Sequence, residues 1–426
     1  MASSQMRLLA RRLGLSLLLM ATGSALGSED ELQPLRNVLD PILESTFIPG
    51  YLITTFDAGG HTAEASAGIT RDDSQSLPRE DSIFAITWMA EPIISMAIAR
   101  LVQQDRLSLD EEVMESFSVR DGDGSRVLEA PEPLRAPTIK DLLRHTAGIQ
   151  AKAQERSYNG SRQGVAKGVD ISIEKLVSSN GQSSLASVAE ELVANASAQD
   201  GLFRYSHSYE ILGRIIEIKT GLPLDEALKD LVFDPLEMQD TFFQVPVDEQ
   251  GRIAQLYTNR IPTYPVPGQF RLIQPHPAFP AGQQNIGAQS FSWKSPTLGL
   301  LSTAQDLQKF LQLLSNDFTG PNGKPFLEKK LGDQFFFTDQ LGGSFGPDPL
   351  VSSFGRHGEG LSFSLASAMK LKDDGSREID YIFWWGLANT LFWFIPDQKL
   401  AGIVLTQHEP AQYNLIEDLV SASKNL

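Results

Sequence analysis

The sequence predicts an α+β fold in which both chain ends form one antiparallel sheet, flanked by helices, with a mostly helical subdomain inserted between them. Strand-like runs lie near the start of the chain, at 51–56 and 61–68, and further ones lie between 362 and 406. The stretch of about 105–310 has mainly helical spacing of apolar residues. Because a meander of antiparallel strands needs a neighbour at its edge, we expect the N-terminal hairpin to pair with the C-terminal strands.

The N-terminal part is predicted to run helix, hairpin, helix. Apolar residues at helical spacing predict a helix over 32–47. The β-rich run 51–56 is followed by the turn residues 57–60 and then by 61–68, which is typical of a hairpin. A strongly amphipathic helix is predicted over 92–104, with its proline tolerated in the first turn.

The C-terminal part changes to strands. A strand-like run at 362–369 precedes a turn with the sequence Asp-Asp-Gly-Ser, which is typical of a hairpin. Further short strands are predicted at 381–385, 390–394 and 400–406, and a helix from about 412. We therefore assign the sheet part to about 28–104 and 330–426, and the helical insert to about 105–329, within one domain of residues 28–426.

The first 27 residues resemble a removable signal peptide. They carry three arginines and no acid, then a leucine-rich run over 13–26 that ends in small residues. This order predicts a secreted or periplasmic protein, with a mitochondrial presequence as the alternative. The run is too short to span a bilayer, and no later apolar run in the sequence reaches the length of a span. No membrane span is therefore expected after its removal. The mature chain would carry a net charge of −17 − 3 = −20.

Composition excludes several classes of function. A net charge of −17 argues against a nucleic-acid partner, because the phosphate backbone is also negative. The chain has no cysteine, which excludes disulfides, thiolate metal sites and a cysteine nucleophile. Its six histidines show no spacing typical of metal ligands, so we predict neither a metal nor a cofactor.

Six short motifs follow one another along the chain, at 47–50, 107–113, 138–149, 205–221, 299–307 and 392–407. Together they resemble those of the β-lactamase-related serine hydrolases, which include class C β-lactamases, penicillin-binding D-Ala-D-Ala peptidases and esterases. The resemblance implies the β-lactamase/transpeptidase-like fold. It also implies that the family's acyl-transfer chemistry depends on a Ser-x-x-Lys pair.

The resemblance breaks at the catalytic pair. In this family a serine nucleophile and a lysine lie in a Ser-x-x-Lys motif, one helical turn apart. The matching segment, 84–93, aligns without a gap and has Trp88 at the serine position and Glu91 at the lysine position. Indole carries no nucleophile, and glutamate reverses the charge beside it. No intact catalytic residue is therefore expected here.

The other two motifs are also altered. The family's Tyr-x-Asn is Tyr205-Ser206-His207 in this chain, so the tyrosine remains and the asparagine does not. The third motif is Trp384-Trp385-Gly386, in which the glycine remains. The resemblance implies that the backbone N–H of Leu387, just after that glycine, occupies the place of an oxyanion donor.

Other serines offer no convincing replacement. Ser172 and Lys175, and Ser421 and Lys424, also match Ser-x-x-Lys, at about the number expected by chance. Ser95 lies one turn after Glu91 on an apolar helix and is interpreted as a packed core residue.

Three hypotheses follow. The first is an exported pseudoenzyme whose vestigial cleft binds a small-molecule or peptide ligand, or a partner, through Trp88, Glu91, Tyr205, His207 and Leu387. The second is an active hydrolase with altered residues, in which Glu91 and His207 activate water. The third is a purely structural interaction protein whose cleft is filled by tryptophans.

Each altered position also has a structural interpretation. Trp88 and Trp385 are expected to fill space in the core. Glu91 is interpreted as a solvated or N-terminal-turn residue that interacts with a helix dipole, or as a ligand contact. His145 belongs to a turn motif and is interpreted as structural.

Overall fold

The computed structural model describes residues 31–45, 48–71, 76–117, 137–149, 184–194, 201–258, 271–272, 293–342, 360–409 and 415–426. The segment 1–27 and the pair Ser172 and Lys175 lie outside these residues. Within the described residues, no helix combines the length and the apolar character needed to cross a membrane.

Twelve strands are present in the described part of the chain. They are β1 (Gly50–Phe56), β2 (Thr62–Gly68), β3 (Phe84–Ala85), β4 (Tyr257–Thr258), β5 (Arg271–Leu272), β6 (Leu301–Ser302), β7 (Leu361–Phe363), β8 (Ala368–Leu371), β9 (Ile379–Trp385), β10 (Leu391–Ile395), β11 (Leu400–Leu405) and β12 (His408–Glu409). Seven form the main sheet, in the order β2-β1-β11-β10-β9-β8-β7.

The main sheet joins the two ends of the chain, as predicted. Strand β1 pairs antiparallel with β11, with Leu52 opposite Leu405. Both strands are rich in β-branched and apolar residues, and β1 is buried along its whole length. The hairpin β1–β2 would otherwise expose an unpaired edge, which the C-terminal meander covers. The predicted fold class is confirmed.

One predicted strand is in fact two. The run 362–369 contains the end of β7 and the start of β8, which pair with each other as a hairpin. The hydroxyl of Ser364 accepts hydrogen bonds from the backbone N–H groups of Ala366 and Ser367. Because serine side chains stabilise turns in this way, the serine-rich sequence turns here instead of continuing as a strand.

Ten α-helices are described. They are α1 (Gln33–Glu44), α2 (Glu91–Gln103), α3 (Val113–Phe117), α4 (Ile139–Leu143), α5 (Leu185–Ala194), α6 (Ser208–Thr220), α7 (Leu224–Leu228), α8 (Ala304–Ser315), α9 (Lys329–Phe336) and α10 (Leu415–Ser423). A 3-10 helix, Thr87–Ala90, leads directly into α2. Helix α6 packs against α2, α4, α5 and α7, so it forms the centre of the helical part.

Helix α2 is more buried than an amphipathic helix would be. All of 91–99 is buried, and so is Leu101. A helix that is apolar on every side is a core helix, and α2 packs against α6 and α9. Its first residue is Glu91, so the fold places a carboxyl group inside the protein.

Candidate functional site

Trp88 lies on the short connection between the small sheet and the core helix. Strand β3 pairs with β6, and the N–H of Ile86 donates to the carbonyl of Leu300, which holds this connection in place. Trp88 is 9% exposed and packs edge-on against the ring of Tyr205, with ring centroids 5.4 Å apart. The indole therefore lies where the family resemblance predicts the nucleophile, in contact with the surviving tyrosine of the second motif.

Glu91 is fully buried, so it is not a solvated residue, but it does lie in the first turn of α2, as the alternative interpretation expected. The hydroxyl of Tyr205 donates a hydrogen bond of 2.6 Å to Glu91 Oε1. Burial raises the pKa of Glu91, and the neighbouring His145, Tyr205 and Trp384 lower it in part. Burial, together with the charge of Glu91, holds the pKa of Tyr209 well above the usual value.

The histidine beside Glu91 is His145. Its Nε2 lies 3.7 Å from Glu91 Oε2, and its Nδ1 accepts a hydrogen bond of 3.4 Å from the backbone N–H of Ser206. The described residues contain no ion pair between Glu91 and His207. His145 was expected to be structural, because no local signal in the sequence indicates its contact with a residue 54 positions earlier.

His207 instead lies at the start of α6. It occupies the N-cap position of that helix, where its side chain makes no capping hydrogen bond, and it is 9% exposed. Burial lowers the pKa of His207 to about 4, and the charge of His145 adds to the effect. The acid/base pair of Glu91 and His207 is therefore not formed. His207 is held at the start of α6, and the loop after α4 places His145 beside the carboxyl group of Glu91 instead.

The third motif lies at the end of β9. Trp384 is buried, with its ring centroid 5.8 Å from that of Tyr205 and 5.2 Å from that of Phe363. Trp385 is buried beside it, with ring centroids 4.2 Å apart. The interpretation of Trp385 as a space-filling residue agrees with this packing.

Gly386 is required by close backbone approach. A Cβ atom at this position would lie 2.2 Å from the carbonyl oxygen of Ile86 and 2.6 Å from the hydroxyl of Thr87. Real side chains do not tolerate such distances, so only glycine fits between β9 and the Trp88 segment.

The backbone N–H of Leu387 already has a partner. It donates a hydrogen bond of 2.7 Å to the hydroxyl of Thr87. Thr87 has a φ of 45°, which is unusual for a β-branched residue and indicates that the surrounding packing holds it there. No sequence signal points to Thr87, because its partner lies 300 residues further along the chain.

Of the stray serines, Ser95 and Ser421 lie within the described residues. The hydroxyl of Ser95 is fully buried and lies 2.9 Å from that of Tyr209, as expected for a core residue. Ser421 is exposed on α10, and the ammonium of Lys424 contacts Asp380 at 2.6 Å and 2.8 Å. In the described part of the chain, no group of three or more His, Asp or Glu side chains is arranged to hold a metal ion.

Comparison with known proteins agrees with this architecture. The family model described as Beta-lactamase matches residues 35–422. The chain belongs to the beta-lactamase family. The resemblance stated from the six motifs is thereby confirmed for most of the chain.

Relatives in this family include active enzymes. Esterase EstB from Burkholderia gladioli is 30% identical over 210 residues, which cover 48% of this chain and 50% of the esterase. Penicillin-binding protein 4 from Amycolatopsis lactamdurans is 24% identical over 288 residues, covering 67% of this chain and 64% of that protein. The aligned part thus spans between half and two thirds of these relatives.

A solved structure extends the likeness to almost the whole fold. EstCE1, described as a hydrolase with promiscuous acyltransferase activity, superposes with a TM-score of 0.67 at 19% identity. The match covers 92% of this chain and 98% of that one. At this identity the likeness concerns the fold alone.

Proposed function

We propose that this member of the beta-lactamase family performs no acyl transfer at the family's catalytic position and binds a ligand or partner in the vestigial cleft. The indole of Trp88 offers no nucleophilic atom at that position. The hydroxyl of Tyr205 donates a hydrogen bond to Glu91. Tyr205 therefore keeps its proton and is not poised to accept one from a nucleophile.

The hydrogen bond between Leu387 and Thr87 carries the proposal. An oxyanion hole works through N–H groups that remain free to meet the charge developing in the transition state. Here the hydroxyl of Thr87 accepts that N–H at 2.7 Å. Acyl transfer would therefore lack its nucleophile, its lysine and a free oxyanion donor at the same time.

Export belongs to the same proposal. The basic, apolar and then small residues of 1–27 favour a signal peptide, and the acidic mature chain fits an exported protein. N-terminal sequencing of the protein recovered from its host, with cleavage near residue 27 as the expected result, tests this part.

A hydrolase with altered residues is the second candidate, favoured by the 3.7 Å contact between Glu91 and His145. The tautomer of His145 argues against it. Because Nδ1 accepts the N–H of Ser206, Nε2 carries the proton and has no lone pair to act as a base. Purified protein assayed against esters, amides and β-lactams, with Glu91→Ala and His145→Ala as matched variants, distinguishes the two candidates.

The decisive experiment is covalent labelling. Intact-protein mass spectrometry after exposure to a fluorophosphonate and to a penicillin probe should show no adduct on the wild-type chain. The matched control is the double variant Trp88→Ser with Glu91→Lys, which restores the Ser-x-x-Lys pair and should label slowly. A stoichiometric adduct on one serine of the wild-type chain contradicts the proposal.

A further inference from the structure

Three buried polar atoms meet at Glu91 without completing their hydrogen bonds. Glu91 Oε2, His145 Nε2 and Trp384 Nε1 have no hydrogen-bond partner among the described residues. The 3.7 Å between Glu91 Oε2 and His145 Nε2 is too long for a hydrogen bond. Both His145 and the Trp384 indole are nevertheless close enough to lower the pKa of Glu91. We call these three residues the Glu91 cluster.

The cluster presents two donors and one acceptor. An indole N–H only donates, and His145 Nε2 carries the imidazole proton because Nδ1 accepts from Ser206. In the ionised form of Glu91 the Oε2 atom accepts, while Oε1 accepts from the hydroxyl of Tyr205. Buried polar groups are almost always paired, so three such atoms at one place call for a shared partner.

The chemistry of that partner follows from the set. A hydroxyl oxygen has one proton to give to Glu91 and two lone pairs for the two N–H groups. An ammonium has no lone pair and would leave both N–H groups unpaired. A carboxylate has no proton to give and would meet the carboxyl group of Glu91. An oxygen about 2.9 Å from both Glu91 Oε2 and His145 Nε2 would see them at an angle of about 80°, which a hydroxyl can accommodate.

We propose that the Glu91 cluster is a binding site for a hydroxyl oxygen, supplied by the alcohol group of a small ligand or by water. The proposal rests on the proposed function, in which this cleft binds and does not acylate. Trp88 and Tyr205 keep 9% and 7% of their surface exposed, whereas Glu91 and His145 are at 0% and 1%. An alcohol would therefore enter beside these two rings, with its carbon atoms against their faces.

The ligand series benzyl alcohol, benzylamine and benzoate tests the chemistry on the wild-type protein. The three share one ring and differ in the group that would reach the cluster. Saturation-transfer NMR with competition titrations should show benzyl alcohol binding at least about tenfold more tightly than the other two, since each of those leaves a buried polar group unpaired. Equal or tighter binding of benzylamine or benzoate overturns the proposal.

A matched pair of tryptophan variants locates the binding. Trp384→Phe keeps an aromatic ring and removes the N–H, and it should weaken benzyl alcohol binding about tenfold. Trp393→Phe is the control, because Trp393 is also buried with an Nε1 that has no partner among the described residues, yet it lies on β10 outside the cluster. Equal losses in the two variants overturn the assignment. If Trp384→Phe does not fold, the wild-type ligand series alone decides.

A high-resolution crystal structure separates the two sources of the hydroxyl. If no alcohol binds, an ordered water within hydrogen-bond distance of Glu91 Oε2 and His145 Nε2 supports the site with water as its occupant. A direct hydrogen bond between these two atoms, with no oxygen at the cluster, overturns the proposal. The proposed function fails differently, through a serine adduct, so the two failures are distinguishable.

Discussion

Two carboxyl groups are fully buried near the starts of neighbouring helices, and the fold treats them differently. Glu210, in the first turn of α6, accepts hydrogen bonds from Ser295, Thr297 and Trp293 at 2.6, 2.7 and 3.2 Å, so both of its oxygens are paired. Glu91, at the start of α2, accepts one from Tyr205, and its second oxygen is unpaired among the described residues. Burial raises the pKa of both groups.

The difference separates a fully paired carboxyl group from an incompletely paired one. Glu210 ties the 293–297 segment to the central helix, and its complete pairing is typical of a structural group. Glu91 occupies the position of the family's lysine, and its surroundings satisfy it only in part. Incomplete pairing at a buried carboxyl group is therefore the feature that distinguishes the Glu91 cluster from the surrounding framework.

The largest expected effect is on the framework. Glu210→Leu should lower the free energy of unfolding by about 3 kcal/mol or more, because three donors lose their acceptor at about 1 kcal/mol each. In Glu91→Leu only the Tyr205 hydroxyl loses its hydrogen-bond acceptor, so the free energy of unfolding should fall by about 1 kcal/mol. Urea unfolding of both variants measures the difference, and equal costs would remove the distinction between the two carboxyl groups.

The next effect concerns the blocked N–H of Leu387. In the background of Trp88→Ser with Glu91→Lys, adding Thr87→Ala should raise the rate of serine labelling, by up to about 100-fold, since a lost oxyanion donor costs that much in working enzymes. Thr87→Ser is the matched control, because it keeps the hydroxyl that accepts the N–H. If alanine and serine at this position label at the same rate, the hydroxyl does not block the donor.

The pH dependence of stability isolates His207. Its folded pKa of about 4 lies below the usual 6.5, so the folded state binds fewer protons, and its stability contribution is present above pH 6.5 and lost as the pH falls towards 4. Relative to His207→Asn, the wild-type chain should lose about 1 kcal/mol of unfolding free energy between pH 7 and 5.5.

The two buried glutamates act in the opposite direction. Their raised pKa values give a contribution that is full below the usual 4.5 and is lost as the pH rises through the folded value. This contribution is common to the wild-type chain and the His207→Asn variant, so it cancels in the difference. A difference that does not change with pH would show that His207 titrates normally.

The smallest expected effect is at the stray motif. Ser421→Ala should leave serine labelling unchanged. It should change the free energy of unfolding by no more than about 0.5 kcal/mol, because the side chain is exposed on α10. If the wild-type chain were labelled and the label disappeared in Ser421→Ala, Ser421 would be shown to be reactive.

Much of the fold was predictable because it rests on local patterns. Local residue patterns predict several elements: the β-branched run at Gly50–Phe56, the aromatic runs at Ile379–Trp385 and Leu391–Ile395, and the helical spacing of apolar residues at Glu91–Gln103. The exception, one strand that became the β7–β8 hairpin, came from serine side chains that bond to the backbone of their own turn.

The sequence by itself determined that residues 88 and 91 are Trp and Glu, and it predicts that they replace the Ser-x-x-Lys pair because the matching segment aligns without a gap. Only the tertiary structure decided what surrounds them. It buries Glu91, brings His145 to it in place of His207, and joins Thr87 to Leu387 across 300 positions. The physical reason is that hydrogen bonding and burial depend on distances between remote segments, which no local pattern of residues encodes.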